Sequence, residues 1–516
     1  MRSCSHAQLL QREVQHTPSV AHSFSSFPEY VALATQSPLV SNDVSTRQIN
    51  PRAPGKADMI PMTAQATAGA TAGSRALRRP NHLVHLVALV AVLPLLRMLV
   101  MLVMLPMLVM LLPACGALSA AEVGFTKQVL SERFLAEGCC VADFDRDGEA
   151  DIAAGNLIWH GPGFTRKTEY TPPRNNAGGP AKTPYDPARG YSNYFLMFAH
   201  DFTGDGWQDI LVYDLPGEAA VVFVNPAAEG GHWPRHAVFE VADGESPGLA
   251  DIDGDGRPEL FCQSSGPELG GRLGFAQIDW ARPLAAARFR PITPRSPAND
   301  KKYFRYTHGG GLGDLNGDGR IDILSKDGWF EQPESLTENR IWPFHPGPFG
   351  PPNARGGAQM LVFDVDGDGR NDVVTSYDAH GYGIGWFRQE ADGSFTEHRI
   401  VGSSTEESPQ GVCFSQPHAL AAADIDGDGL TDIVTGKRRW AHGTKKDPEP
   451  NAPPVLYWFR LLRDGQGGAR FEPHLIDDDS GVGTQVTLAD LDGDGRPDIA
   501  VANKRGVFAF RQTTPQ

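Results

Sequence analysis

Seven short segments place oxygen-bearing side chains at alternate residues and follow them with glycine. They are DFDRDGEAD from Asp143, DFTGDGWQD from Asp201, DIDGDGRPE from Asp251, DLNGDGRID from Asp314, DVDGDGRND from Asp364, DIDGDGLTD from Asp424 and DLDGDGRPD from Asp490. Alternating carboxylates on a tight turn suit Ca²⁺, a hard cation that takes about 6 to 8 oxygen ligands. Positions 1, 3 and 5 supply the oxygens, and glycine at position 6 permits the sharp turn. The expected ligands are therefore Asp143, Asp145 and Asp147; Asp201, Thr203 and Asp205; Asp251, Asp253 and Asp255; Asp314, Asn316 and Asp318; Asp364, Asp366 and Asp368; Asp424, Asp426 and Asp428; and Asp490, Asp492 and Asp494. Position 9 adds Asp151, Asp209, Glu259, Asp322, Asp372, Asp432 and Asp498. An EF-hand would close instead with a bidentate Glu at position 12. Ala154, Val212, Cys262, Ser325, Thr375, Thr435 and Val501 stand there, so these are shorter calcium loops. The second loop, with Thr203, is the weakest. Up to seven ions would bring the formal charge of −16 close to neutral, and their expected role is structural.

A second set of residues suits different chemistry. Six residues before each loop's first aspartate stand Glu137, Phe195, Glu245, His308, Ala358, His418 and Thr484. Two Glu and two His at one height would make an acid/base site or hold an additional transition metal. The alternative is a polar lining for a wet channel. Nearby lie TGKRRWAHG with Lys437, Arg438, Trp440 and His442, SYDAHGYG with Tyr377 and His380, and KKYFRYTHGGG with Tyr303 and Arg305. His308, His418, Lys437 and His442 are the candidate catalytic groups; Tyr303, Arg305, Tyr377, His380, Arg438 and Trp440 are the candidate ligand-binding groups.

The elements that must position these residues follow from the flanks. A short apolar strand precedes each loop (QMLVFD, ALAAAD) and another follows it (DVVTSY, DIVTG), so each loop is a hairpin tip. An aromatic strand (GIGWFRQ, VLYWFRL) and commonly a fourth (FTEHRIV, FEPHLID) complete a unit that recurs about every 58 residues. The seventh unit ends after three strands, and FTKQVLSE, residues 125–132, is the natural donor of its fourth. Lending it removes two exposed sheet edges. The expected fold is an all-β, seven-bladed β-propeller over 122–516, closed by an N-terminal strand.

These repeats resemble the FG-GAP and VCBS-type repeats of integrin α-subunit propellers and of exported bacterial proteins. The resemblance implies calcium hairpins on one face and partners on the other, and carries no partner over. SQPHAL, TGKRRWAHG and DSGVGTQ are similar to segments in the propeller portion of aldos-2-ulose dehydratases. That likeness implies a metal-assisted carbon–oxygen lyase acting on keto-sugars through His418, Lys437, His442 and His308. Those enzymes also carry cupin domains, whereas this resemblance lies within their propeller portion. Two readings stand: an exported module binding a glycan or an extracellular protein, and a sugar dehydratase.

Composition bounds the rest. The acidic balance lacks a basic stripe and excludes a nucleic-acid partner. Residues 1–80, rich in Ser, Thr, Ala, Gln and Pro, read as a disordered or unused extension. Within 81–121, the apolar run 83–113 follows Arg75, Arg78 and Arg79 and reads as a cleaved signal or, alternatively, a membrane tether. Either way the remainder is exported. Among the six cysteines no disulfide framework is recognisable, and buried thiols are expected.

Overall fold

The computed structural model describes residues 123–174, 185–337, 341–351 and 356–513. The expectations for residues 1–80 and 81–121 lie outside them. All described residues belong to the second of two compact units, Met107–Gln516. Among the described residues no helix is long and apolar enough to cross a membrane. The unit is almost wholly β, with a four-residue helix, Asn299–Lys302, and a short 3-10 turn, Ala227–Glu229.

Every acidic loop joins the first and second strands of a four-stranded antiparallel run. In the fifth repeat the run is Gln359–Phe363, Asp372–Ser376, Ile384–Gln389 and Phe395–Val401. The second strands, such as Asp209–Tyr213, Asp372–Ser376 and Asp432–Gly436, are buried at every residue. That is why they read as β-branched runs rather than alternating patterns: both of their faces are covered. Apolar side chains fill the space between consecutive repeats. Leu324 and Trp329 meet Met360 and Phe387; Val374 and Trp386 meet Ile433 and Phe459; Val434 and Trp458 meet Ile499 and Phe510. Val507 and Ala502 of the seventh repeat share a cluster with Ile152 and Ile158 of the first.

Two departures from the simple repeat have visible causes. Strand Arg235–Ala250 runs long enough to be the fourth of the second repeat and the first of the third. Strands Gly310–Gly313 and Gln359–Phe363 pair in parallel, through Gly310 with Gln359 and Gly311 with Met360. Glycine permits this approach, because a Cβ at Gly311 would strike the Met360 carbonyl. In the seventh repeat, Thr487–Ala489, Asp498–Asn503 and Gly506–Thr513 are joined by Gly124–Ser131, antiparallel from Gly124 opposite Thr513 to Ser131 opposite Val507.

A side-chain amide at or just past several third strands ties one repeat to the loop before it. Asn225 Nδ2 donates to the Phe144 carbonyl at 2.9 Å, Gln332 Nε2 to Ile252 at 2.6 Å, Gln389 Nε2 to Leu315 at 2.9 Å and Gln512 Nε2 to Ile425 at 2.6 Å. Each acceptor is position 2 of the loop in the adjoining repeat. Cys139, Cys140 and Cys262 are buried free thiols.

Candidate functional site

Two groups of side chains stand at opposite ends of the first strands. At one end are the acidic loops. Their position-1 carboxylate holds the turn: Asp314 accepts the backbone N–H groups of Gly317, Asp318 and Gly319 at 2.7, 3.0 and 2.8 Å. The glycines at position 6 have φ between +82° and +93°, the left-handed region that a side chain resists. Carboxylate oxygens of Asp143, Asp145 and Asp147, and of Asp251, Asp253 and Asp255, lie within 4.8 Å of one another. Burial, followed by the neighbouring aspartates, pushes Asp253 and Asp426 above the usual carboxylate range.

The position-9 carboxylates have a further task. Asp322 accepts the Leu315 and Gln332 amides at 3.0 and 2.9 Å, and Asp498 accepts those of Leu491 and Gln512 at 2.8 and 2.6 Å. They lock the loop to the third strand whatever else they bind. Arginines also meet the loops: Arg388 Nε lies 2.6 Å from Asp366 Oδ2, and Arg460 Nε lies 2.6 Å from Asp426 Oδ2. Convergent oxygens and left-handed glycines fit calcium, although at the first loop His160 Nδ1 also stands 3.2 Å from Asp145 and Asp151.

The other end lies six residues, roughly 20 Å of extended chain, before each loop, at or just ahead of the start of most first strands. There the register residues adjoin: Thr484 N donates to the Glu137 carbonyl at 2.8 Å, and its hydroxyl donates to the Phe195 carbonyl. Glu245, His308 and His418 converge, joined by His380 from the loop between strands two and three of the fifth repeat. His308 Nε2 and His418 Nε2 lie 3.3 and 3.1 Å from Glu245 Oε2, and His380 Nε2 lies 2.7 Å from His308 Nε2. Glu137 does not enter this cluster. It faces Arg438, whose Nη2 lies 2.9 Å from Glu137 Oε2, while Nη1 lies 3.8 Å from Glu245 Oε2. His308, His418 and Arg438 are almost wholly buried.

Loop hydrogen bonds hold this arrangement. Gln416, buried with φ +60°, accepts Arg438 N at its carbonyl (2.9 Å) and Ala441 N at Oε1 (3.2 Å), and donates its own N–H to Gly381 at 2.7 Å. One residue thus ties together the segments carrying His380, His418 and Arg438. A non-glycine in the left-handed region is strained, and such strain persists where surrounding bonds over-determine it. Trp440 is the second such residue here, at φ +57°. Asp447 accepts from His442 Nδ1 at 2.7 Å and from its backbone N–H at 2.6 Å.

Burial lowers His418 to about 3, helped by the Arg438 charge, and lowers His380 further; both imidazoles are neutral. Burial would raise Glu245, but the facing histidines outweigh it and hold the carboxyl ionised. Burial pushes Lys437 and Lys504 down to about 8.

A cavity of about 240 Å³ opens onto the cluster, bounded by Tyr191, Tyr306, Glu245, His308, Arg438 and His442. A neighbouring cavity of about 410 Å³ shares Tyr306 and His308 and adds Tyr303, Lys301, Lys302 and Lys326. The smaller one holds the reactive groups and is the better candidate despite its size.

The expected residues divide accordingly. His308, His380, His418, Arg438 and His442 come together, and Tyr303 lines the adjacent cavity. Lys437 lines neither, its amine bonded to the Ser415 hydroxyl. The Trp440 ring is stacked by Arg439 at 4.1 Å and donates to Asn451 at 3.3 Å. Arg305 is exposed and lines neither cavity. Tyr377, expected on this face, is in the core with its hydroxyl on Glu397 at 2.7 Å. Its ring occupies the space that side chains at Gly383 and Gly385 would fill. Tyr191 and Asp447 were not identified from sequence, for neither stands in a recurring position.

Residues 201–262 and 364–435 match the FG-GAP-like repeat, and residues 482–512 match the FG-GAP repeat. No curated protein matches the sequence. Among solved structures, the exotype rhamnogalacturonan lyase YesX aligns at 13% identity over 76% of this chain and 74% of its own, with a TM-score of 0.36. The biofilm matrix protein Bap1 of V. cholerae aligns at 11% over 76% and 92%, TM-score 0.34. An auxiliary nutrient-binding protein of Bacteroides ovatus aligns at 8% over 59% and 66%, TM-score 0.35. Likenesses this distant carry no argument about this chain.

Proposed function

We propose that this chain of FG-GAP-like repeats is an exported, calcium-stabilised, seven-bladed β-propeller that binds carbohydrate in the cavity at the end opposite its acidic loops. Closure is supported by the pairing of Gly124–Ser131 with Gly506–Thr513 and by the apolar contact of the seventh repeat with the first. Calcium is supported by the convergent oxygens and left-handed glycines of the loops.

The observation that carries the ligand class is the composition of the 240 Å³ cavity: aromatic walls, Tyr191 and Tyr306, over an ionic floor of Glu245 and Arg438. A sugar offers apolar C–H faces to rings and hydroxyls to charged hydrogen-bonding groups. Tyr306 is 51% exposed, so its ring is available for stacking. Calorimetric titration with neutral and acidic mono- and oligosaccharides tests the reading. Tyr306→Ala should weaken the best ligand about 10-fold, or about 1.4 kcal/mol. Absence of binding across the panel would refute it, leaving an extracellular protein as the partner to seek.

A second reading, a carbon–oxygen lyase acting on keto-sugars, is favoured by His308 and His380, which line the cavity beside the Glu245 carboxylate. A neutral imidazole can accept the proton α to a carbonyl. Enone absorbance developing with 2-keto or 3-keto sugars, and lost in His380→Gln, would establish turnover; no absorbance change would leave binding alone.

A further inference from the structure

We propose that Glu245, His308, His380 and His418 hold one divalent transition-metal ion of the imidazole-preferring class, zinc foremost, in a four-coordinate site on the wall of the 240 Å³ cavity.

All three imidazoles present the same atom to the cluster. His308 Nε2 and His418 Nε2 lie 3.3 and 3.1 Å from one carboxylate oxygen, and His380 Nε2 lies 2.7 Å from His308 Nε2. Zinc bonds nitrogen and oxygen at about 2.0 to 2.2 Å, so neighbouring ligands on a tetrahedron stand about 3.3 Å apart. The two contacts to Glu245 already have that spacing, and the His308–His380 pair needs to open by about half an ångström.

Hydrogen bonding among the four does not account for their convergence. Only the His380–His308 contact has the alignment of a hydrogen bond; those to Glu245 do not, close as they are. His418 is 1% exposed, and its Nε2 meets only the poorly aligned Glu245 carboxylate at 3.1 Å. An imidazole stripped of water without a well-aligned partner is costly, and such groups call for an explanation. A metal ion supplies a partner for Nε2.

The electrostatics agree. Arg438 lies 2.9 Å from Glu137 and 3.8 Å from Glu245, so its charge is directed mainly at Glu137. A cation among the imidazoles faces the Glu245 carboxylate. Nitrogen donors select against calcium, which the acidic loops at the other strand ends suit instead. His308, His380 and Glu245 line the cavity, so an ion among them would face any bound molecule. An oxygen of that molecule, a hydroxyl or carbonyl, would add a fifth ligand. The site does not depend on the carbohydrate reading, since the ion can be held with no sugar present.

The test uses the full chain, stripped of transition metals by a chelator and then saturated with Ca²⁺. It is titrated with Co²⁺ while its visible absorption is followed. One equivalent should bind, with bands of imidazole-ligated cobalt that excess Ca²⁺ leaves intact and Zn²⁺ displaces. His418→Gln and Glu245→Gln should each weaken Co²⁺ at least about 10-fold, and the surface variant His232→Gln should not. Thermal unfolding of each variant confirms that it is folded; if His418→Gln is not, His380→Gln takes its place. Absence of Co²⁺ binding in saturating Ca²⁺, or binding unaffected by both substitutions, would overturn the proposal, whether or not any sugar binds.

Discussion

Arg438 and Glu137 are 301 residues apart in the chain and 2.9 Å apart in the structure, both almost wholly buried. The pair joins the loop of the sixth repeat to the entry of the first, and it keeps Glu137 out of the histidine cluster while steadying Glu245. Removing one partner of a buried pair leaves an uncompensated charge, which costs about 3 to 5 kcal/mol. Arg438→Met is therefore expected to lower the free energy of urea unfolding by that amount. Glu137→Gln, which keeps a hydrogen-bond acceptor for the guanidinium, should cost less. Equal and negligible effects would mean the pair is solvated in solution.

Calcium removal should destabilise the fold. With free Ca²⁺ several-fold above its dissociation constant, each occupied loop contributes roughly 1 kcal/mol by mass action. Chelation should lower the melting temperature, and restored Ca²⁺ should return it. Asp364→Ala should reduce the calcium stoichiometry by one. A transition indifferent to chelator would leave the loops as hydrogen-bonded turns held by their position-1 and position-9 carboxylates.

Deleting residues 122–132 takes away the strand paired with Gly506–Thr513 and the 2.8 Å ion pair from Lys127 to Asp477. An open edge on the last sheet invites association with other chains. The truncated chain should show a broader, lower unfolding transition and self-association by sedimentation. An unchanged monodisperse protein would argue that the sheets are complete without it.

Alkaline pH should destabilise the protein through its thiols. Burial pushes Cys139 up to about 12 and raises Cys140 and Cys262 well above their usual range. Unfolded thiols ionise near pH 8.5. Between about pH 8.5 and 12 the folded state therefore binds more protons, and stability falls as pH rises. Lys437 and Lys504, pushed down to about 8, oppose this, because the unfolded chain keeps their protons up to about pH 10.4. Three thiols against two amines leave a net fall. Denaturant titrations in reductant and saturating Ca²⁺ should show it flattened in Cys140→Ala/Cys262→Ala and steepened in Lys437→Met/Lys504→Met.

Much of the architecture was legible because it is written locally and repeated. Hairpin tips at Asp143 through Asp490, the aromatic third strands and the donor strand near 125–132 each follow from residues adjacent in sequence. Gln332, Gln389 and Gln512 were harder to find: nothing about an isolated glutamine reveals that its amide reaches a carbonyl in the adjoining repeat.

By itself, the sequence determined the all-β repeat, the position of every acidic loop and the common offset of Glu245, His308 and His418 from those loops. Alternation and period fix those quantities through nearest-neighbour geometry. Tertiary structure alone decided which side chains at that offset meet. His380 entered the cluster and Glu137 left it for Arg438; Tyr377 turned into the core over Gly383 and Gly385. Those outcomes depend on loop conformations such as left-handed Gln416 and on contacts hundreds of residues apart, which a local pattern does not encode.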